Sequence, residues 1–119
     1  IPEKPFGFVP YLYYADAVES KDKYGNRIPS SIFVDITPEI EIKEKMLASH
    51  ASQREWLMAH HKVDEYLLAM KSVARSRGEE SGFEYAEGFL QHLGHGFPQD
   101  NVLLEILGKE TIKLLNQIN

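Results

Sequence analysis

The chain contains no cysteine, so disulfide bonds and thiolate ligands for a metal are both excluded. No apolar run approaches the roughly 20 residues that a helix needs to cross a bilayer, and no membrane span is predicted. Basic residues are also scarce, with 13 Lys and Arg against 18 Asp and Glu and a formal net charge of -5. Binding a phosphate backbone calls for the opposite balance, so nucleic acid is not an expected partner.

The composition otherwise suits a folded protein. The chain has 119 residues, of which 43% are hydrophobic and 26% are charged, as expected for one small domain or part of a larger one. It begins at Ile1 without a signal-like segment, and we expect an upstream part, with any targeting signal, to be missing. These residues do not reveal the compartment, and a cytoplasmic location is the default expectation.

Hydrophobic patterning predicts two strands followed by helices. Residues 8–14 are aromatic and β-branched, while residues 32–36 form the continuous apolar run that is typical of a strand buried on both faces. Residues 20–30 between them are rich in turn formers and predict a solvated loop or a hairpin turn. A helix is predicted to begin directly after the second strand, with Thr37 as its cap.

The second half of the chain predicts a long helix, a short extended segment and a final helix. One apolar stripe marks the long helix: Trp56, His60, Val63, Leu67, Met70 and Ala74. Gly78 is the predicted stop of that helix. Residues 82–89 are predicted to be a strand or an ordered loop, and the final helix is predicted from a cap at Asp100 or Asn101 through Ile118.

Two or three strands cannot form a sheet that is covered on both faces without further strands. The apolar run at residues 32–36 is nevertheless typical of a strand inside such a sheet, which needs further strands beside it. The sequence therefore predicts an α/β fragment, mostly helical with two or three short strands, that lacks part of its sheet.

Four short motifs follow one another in a fixed order. They are Ile-Phe-Val-Asp-Ile-Thr at 32–37, His-Ala-Ser-Gln at 50–53, Arg-Gly-Glu-Glu-Ser-Gly at 77–82 and Tyr-Ala-Glu-Gly-Phe at 85–89. Together they resemble the C-terminal half of the LmbE/PIG-L family of zinc-dependent sugar N-deacetylases. The resemblance covers roughly residues 8 to 97.

The resemblance implies a Rossmann-like sheet with its active site at the carboxyl ends of the strands. In that family a His-Pro-Asp-Asp motif and a later His-x-x-His segment hold zinc, which polarises the acetamide carbonyl and activates water. This chain has no His-Pro-Asp-Asp motif and no adjacent Asp pair. Residues 1–119 are therefore expected to be the C-terminal portion of one deacetylase domain, with the zinc ligands upstream and no zinc bound by this chain alone.

Four residues are candidates for the substrate pocket: Tyr85, Glu87, Arg77 and His50. The resemblance places the Tyr-Ala-Glu stretch at the border of the pocket, where a phenol can donate to an oxyanion and a carboxylate can accept from sugar hydroxyls. In an extended segment Tyr85 and Glu87 emerge on the same side. The structural alternative is an ion pair between Arg77 and Glu87 with Tyr85 beside it. His50 is either a group beneath the site or a partly buried histidine that bonds to backbone.

The spacing of the remaining histidines makes them poor candidates for a metal site. His60 and His61 are adjacent on a helix and point about 100° apart, so they cannot chelate one metal together. His92 and His95 form a His-x-x-His in a Gly-rich turn, but two donors leave zinc under-coordinated. Contact with substrate, or a loop bonded to itself, is expected there instead.

The expected function is hydrolysis of the acetamide of an N-acetylglucosamine-type substrate by the intact, zinc-containing protein, with this chain inactive alone. Expected partners are the N-acetylated sugar and the missing N-terminal half, and a homo-oligomer is also considered. The alternative is a non-catalytic helical interaction or oligomerisation module that buries the apolar stripe of the long helix against a partner.

Overall fold

A computed structural model describes residues 8–17, 20–51 and 60–115. Its elements in chain order are β1 (Tyr13–Ala15), β2 (Ile32–Asp35), a 3-10 turn (Thr37–Glu39), α1 (Ile40–Ala51), α2 (His60–Ser81), β3 (Ala86–Gln91), α3 (Val102–Leu107) and β4 (Ile112–Leu114). The described residues thus form a mixed α/β structure. No helix among them is long and apolar enough to cross a membrane.

The four strands form one sheet in the order β1-β3-β2-β4, and every neighbouring pair is antiparallel. β2 lies in the interior, where Phe33 is opposite Gly88 of β3 and Lys113 of β4. The consecutive residues Ile32 and Phe33 are both buried, as a strand covered on both faces requires. The predicted β2 is confirmed, whereas the described residues contain four strands where two or three were predicted.

The core lies where α1 and α2 meet the sheet. It is built around these buried residues: Ile36, Ile40, Ala74 and Tyr85. Met70 of α2 packs against this cluster, so the C-terminal part of the predicted apolar stripe faces the core as expected. Trp56, Ser52 and Gln53 lie outside the described residues.

The predicted helix stop at Gly78 is wrong, because α2 continues to Ser81 and ends before Gly82, whose φ is +87°. Ser81 is the last residue of the helix, and its hydroxyl donates to the carbonyls of Arg77 at 2.9 Å and Gly78 at 3.1 Å. Gly78 has a packing role instead. A Cβ at this position would lie 2.5 Å from the carbonyl oxygen of Glu84 in the chain that returns towards β3.

The ends of two other predicted elements also differ. The first strand is limited to Tyr13–Ala15, shorter than the predicted 8–14 segment. Asn101 caps α3 as predicted, since its Oδ1 accepts from the Leu104 amide at 3.2 Å. The helix does not continue towards Ile118, however, because Gly108 adopts a φ of +87° and the chain then enters β4 beside β2.

Candidate functional site

The end of β2 and the start of β3 are joined by hydrogen bonds through Thr37. Its hydroxyl oxygen accepts from the Tyr85 amide at 3.1 Å, and the Ile36 amide donates to the Tyr85 carbonyl at 3.0 Å. Thr37 is the first residue of the 3-10 turn that leads into α1 and is not its predicted cap, because the cap position falls on Ile36, which makes no side-chain cap bond. Two motifs that are 48 positions apart in sequence are thus in direct contact.

Tyr85 is buried, with 6% of its surface exposed, and its ring belongs to the core cluster. Its hydroxyl oxygen accepts a hydrogen bond of 2.7 Å from Arg75 of α2. The Arg75 guanidinium lies 5.0 Å from the ring centroid, and the Lys71 ammonium lies 5.9 Å from it. Because the phenol oxygen accepts from Arg75, its own proton is available to a further acceptor.

Glu87 forms an ion pair with Lys43 of α1, at 2.7 Å between Oε2 and Nζ. Both side chains are about two-fifths exposed, so this pair contributes little to stability. Its position is more informative, because both residues line a cavity of about 540 Å³ between α1, α2 and the sheet. The pair places one cation and one carboxylate at the wall of a space large enough for a small ligand.

We call this cavity the apolar groove, because most of its wall is hydrophobic. Its apolar wall includes Ala15 of β1, Leu47 of α1, Met70 and Val73 of α2, and Ala86 and Phe89 of β3. Tyr85, Arg77 and His50 are not among the residues that line it. Of the four candidate pocket residues, the structure places only Glu87 at the groove.

Arg77 is completely buried and bound on several sides. Its guanidinium donates to both carboxylate oxygens of Asp16, at 2.7 and 3.1 Å, to Glu80 at 2.9 Å and to the Ile28 carbonyl at 2.6 Å. The Asp16 hydrogen bonds raise the pKa of Arg77 above its usual value, although burial acts in the opposite direction. Arg77 thus joins the end of β1 and the 20–30 loop to α2. The expected structural pair between Arg77 and Glu87 is not formed.

His50 is exposed at the C-terminal end of α1 rather than partly buried. It borders a shallow cleft together with Lys45, Met46 and Ser49. α2 begins at His60, and the side chains of His60 and His61 lie outside the described residues. His50 is not among the residues that line the apolar groove.

The His92–His95 segment is bonded to its own surroundings. His92 Nδ1 lies 2.6 Å from the hydroxyl oxygen of Tyr14, and its ring centroid lies 4.2 Å from that of Phe97. His95 is exposed. Within the described ranges, no three His, Asp or Glu side chains are grouped closely enough to hold a metal ion.

Sequence reasoning missed the tyrosines that attach β1 to the 92–101 loop. The hydroxyl of Tyr11 donates to Asp100 at 2.6 Å, and that of Tyr13 donates to Asn101 at 2.7 Å. The bond to Asp100 raises the pKa of the Tyr11 phenol. The aromatic run is visible in the sequence, but its partners lie 88 and 89 positions away and carry no local signal.

The arrangement around β3 thus consists of a bonded junction at Thr37 and Tyr85, a cation–carboxylate pair at Lys43 and Glu87, and an apolar groove beside them. Comparison with protein-family profiles, with curated proteins and with solved structures finds no match for this chain.

Proposed function

We propose that this chain is the C-terminal part of a zinc-dependent N-deacetylase domain that hydrolyses the acetamide of an N-acetylglucosamine-type sugar. In this proposal the remainder of a Rossmann-like domain holds the zinc ion. The present chain closes the sheet and forms one wall of the substrate pocket. Alone, it is inactive and binds no zinc tightly.

The convergence of the separated motifs is the observation that supports the proposal. The strand-end motif bonds to the Tyr-Ala-Glu motif through Thr37 and Tyr85. The helix that follows the first motif reaches the same strand through the Lys43–Glu87 pair. Gly78 of the Arg-Gly motif allows the chain entering β3 to pass close to α2. Apart from the His-Ala-Ser-Gln motif, whose His50 is exposed at the end of α1, the motifs that resemble one family therefore also form one contiguous unit.

Glu87 is the residue we assign to substrate binding. Its carboxylate lines the groove and retains acceptor capacity beyond its bond to Lys43, so it can accept from sugar hydroxyls. Tyr85 packs beside Ala74 of α2 in the core, where Arg75 orients its phenol. The described residues do not fit a zinc site of their own, and we assign no metal-dependent step to them.

The interaction-module alternative requires the stripe of α2 to be available to a partner. In the structure Met70 and Ala74 of that stripe already pack on the core of the same chain. Partners that bind through this stripe would have to displace that packing. We therefore do not propose a module that works through this stripe.

Acetate release from an N-acetylglucosamine glycoside, measured with the full-length protein, tests the proposal. We expect activity that is lost on chelation and restored by added zinc, and we expect neither activity nor stoichiometric zinc with the 119-residue chain. Glu87→Gln removes the charge at the groove wall and is expected to raise KM. Glu41→Gln in the first turn of α1 is the matched control and should behave as the parent.

The proposal is wrong if the 119-residue chain deacetylates the glycoside unaided, or if the full-length protein neither retains zinc nor releases acetate. Equal kinetics for the Glu87 and Glu41 variants would remove the assignment of Glu87 while leaving the reaction itself intact. Both outcomes are read from the same titration of substrate and metal.

A further inference from the structure

The two edges of the sheet differ in their free backbone groups, and β1 is the more open of the two. The Leu12 carbonyl accepts from the His92 amide at 2.8 Å, in register with the Tyr13–Gln91 pair of the ladder. Bonded and non-bonded pairs alternate in an antiparallel ladder, so the N–H and C=O groups of Tyr13 and Ala15 point away from β3. Among the described residues, none forms a hydrogen bond to these outward groups.

The opposite edge, at β4, is already partly satisfied. Thr111 and Leu115 bond to β2, so the outward groups of this strand belong to Ile112 and Leu114. The Ile112 amide donates to the Gly108 carbonyl at 3.2 Å and is therefore not free. Between them stands the exposed Lys113, the type of side chain that natural edge strands use to repel further strands.

The side chains along β1 provide no such protection. Residues 8–15 include no Asp, Glu, Lys or Arg, although the whole chain carries a net charge of -5. Leu12 and Tyr14 are 39% and 49% exposed on this edge. The hydroxyl of Tyr14 is tied to His92, which fixes its ring in place. An uncharged, apolar and pre-ordered edge is suited to an equally uncharged strand.

We propose that the β1 edge is a strand-addition site for an extended segment of uncharged, apolar residues. Naming the donor rests on the proposed function: the segment comes from the rest of the deacetylase domain. Ala15 belongs to this edge and also lines the apolar groove, together with Ala17 just beyond it. Elements that arrive with the added strand therefore cover the edge and the groove together. The sheet grows at β1 and stops at β4.

Amide hydrogen exchange in the full-length protein tests this inference without reference to catalysis. The outward amides of Tyr13 and Ala15 are expected to exchange at least about 100-fold more slowly than that of Leu114. Comparable rates at the three amides would overturn the proposal, even in a protein that releases acetate. Slow exchange with no deacetylation would retain the edge and reject the proposed function.

A pair of proline variants tests the same edge. Ala15→Pro replaces an outward N–H with ring carbons and removes no bond to β3, whereas Leu114→Pro makes the matched change at β4. In the full-length protein we expect Ala15→Pro to abolish the slow exchange of Tyr13 and Leu114→Pro to leave it unchanged. The circular dichroism of the 119-residue chain checks that Ala15→Pro still folds.

Two results would contradict the proposal. Tyr13 would remain slow in the Ala15→Pro protein if its protection came from another source. Protection of Tyr13 in the 119-residue chain that increases with protein concentration would identify a second copy as the strand donor, and would overturn the donor named here.

Discussion

The buried guanidinium of Arg77 provides the sharpest test of how this fold is held together. Arg77→Met keeps much of the side-chain volume but removes the guanidinium that donates to Asp16, Glu80 and the Ile28 carbonyl. Asp16, only 14% exposed, would be left with a single side-chain donor, the Ser20 hydroxyl at 3.1 Å. A carboxylate would therefore remain largely buried without its counter-charge.

The loss of the Asp16 partner dominates the expected cost. Removing one member of a buried ion pair costs about 3–5 kcal/mol, because the other charge stays desolvated. The bond to Glu80 adds at most about 1 kcal/mol, since Glu80 is 37% exposed and also pairs with Arg27 at 3.0 Å. We expect Arg77→Met to lower the free energy of unfolding by about 3–5 kcal/mol, a large part of the roughly 5–15 kcal/mol of a typical domain.

Urea unfolding followed by circular dichroism measures this change. Arg27→Met is the matched control, because Arg27 is 48% exposed and should cost no more than about 1 kcal/mol. Arg77→Lys keeps the charge but loses the bidentate bond to Asp16, and should lower the free energy of unfolding by about 1.5–3 kcal/mol. This variant provides the measurement if Arg77→Met does not fold at all. If Arg77→Met and Arg27→Met are equally stable, the guanidinium does not hold the fold together.

Two further predictions concern a close backbone approach and a phenol. Gly78→Ala should destabilise the chain by about 1–3 kcal/mol despite its better helix propensity, because the new Cβ would lie 2.5 Å from the Glu84 carbonyl; thermal unfolding that matches the parent would refute this. The raised pKa of Tyr11 means that its bond to Asp100 stabilises the fold fully below pH about 10 and is lost as pH rises through the folded pKa. Asp100→Asn should lower that pKa towards 10.0 in a carbon-13 NMR titration of the tyrosine rings, and an unchanged value would contradict the bond.

The sequence correctly predicted those structural features that depend only on residues close to one another in the chain. β2 is a continuous apolar run, and the Asn101 cap needs only the amide three residues later, so neither depends on distant chain. Gly78 and Thr37 were misassigned for the opposite reason. Both have common helix-end roles in isolation. The Tyr85 amide, 48 positions away, recruits the Thr37 hydroxyl, and the tight return of the chain at residues 83–84 requires the small size of Gly78.

The candidate site was harder to predict because its pairs cross the whole fold. The Lys43–Glu87 pair joins positions 44 apart, and the Arg77–Asp16 pair joins positions 61 apart. No periodicity within a helix or strand encodes which carboxylate a given cation meets. The sequence could therefore single out Glu87 and Arg77 as candidate site residues. Only the tertiary structure shows that Glu87 lines the groove and that Arg77 forms a buried ion pair with Asp16.

The strand order has a consequence for how the protein emerges from the ribosome. β1 pairs with β3, so Tyr14 cannot form its bond until His92, 78 positions later, has been made. Translation of that stretch takes roughly 4–16 s. β2 likewise precedes both of its partners, since β3 and β4 are made after the two helices. The first two strands are thus synthesised before any strand with which they pair. During that interval, their apolar residues are exposed to chaperones and to other nascent chains.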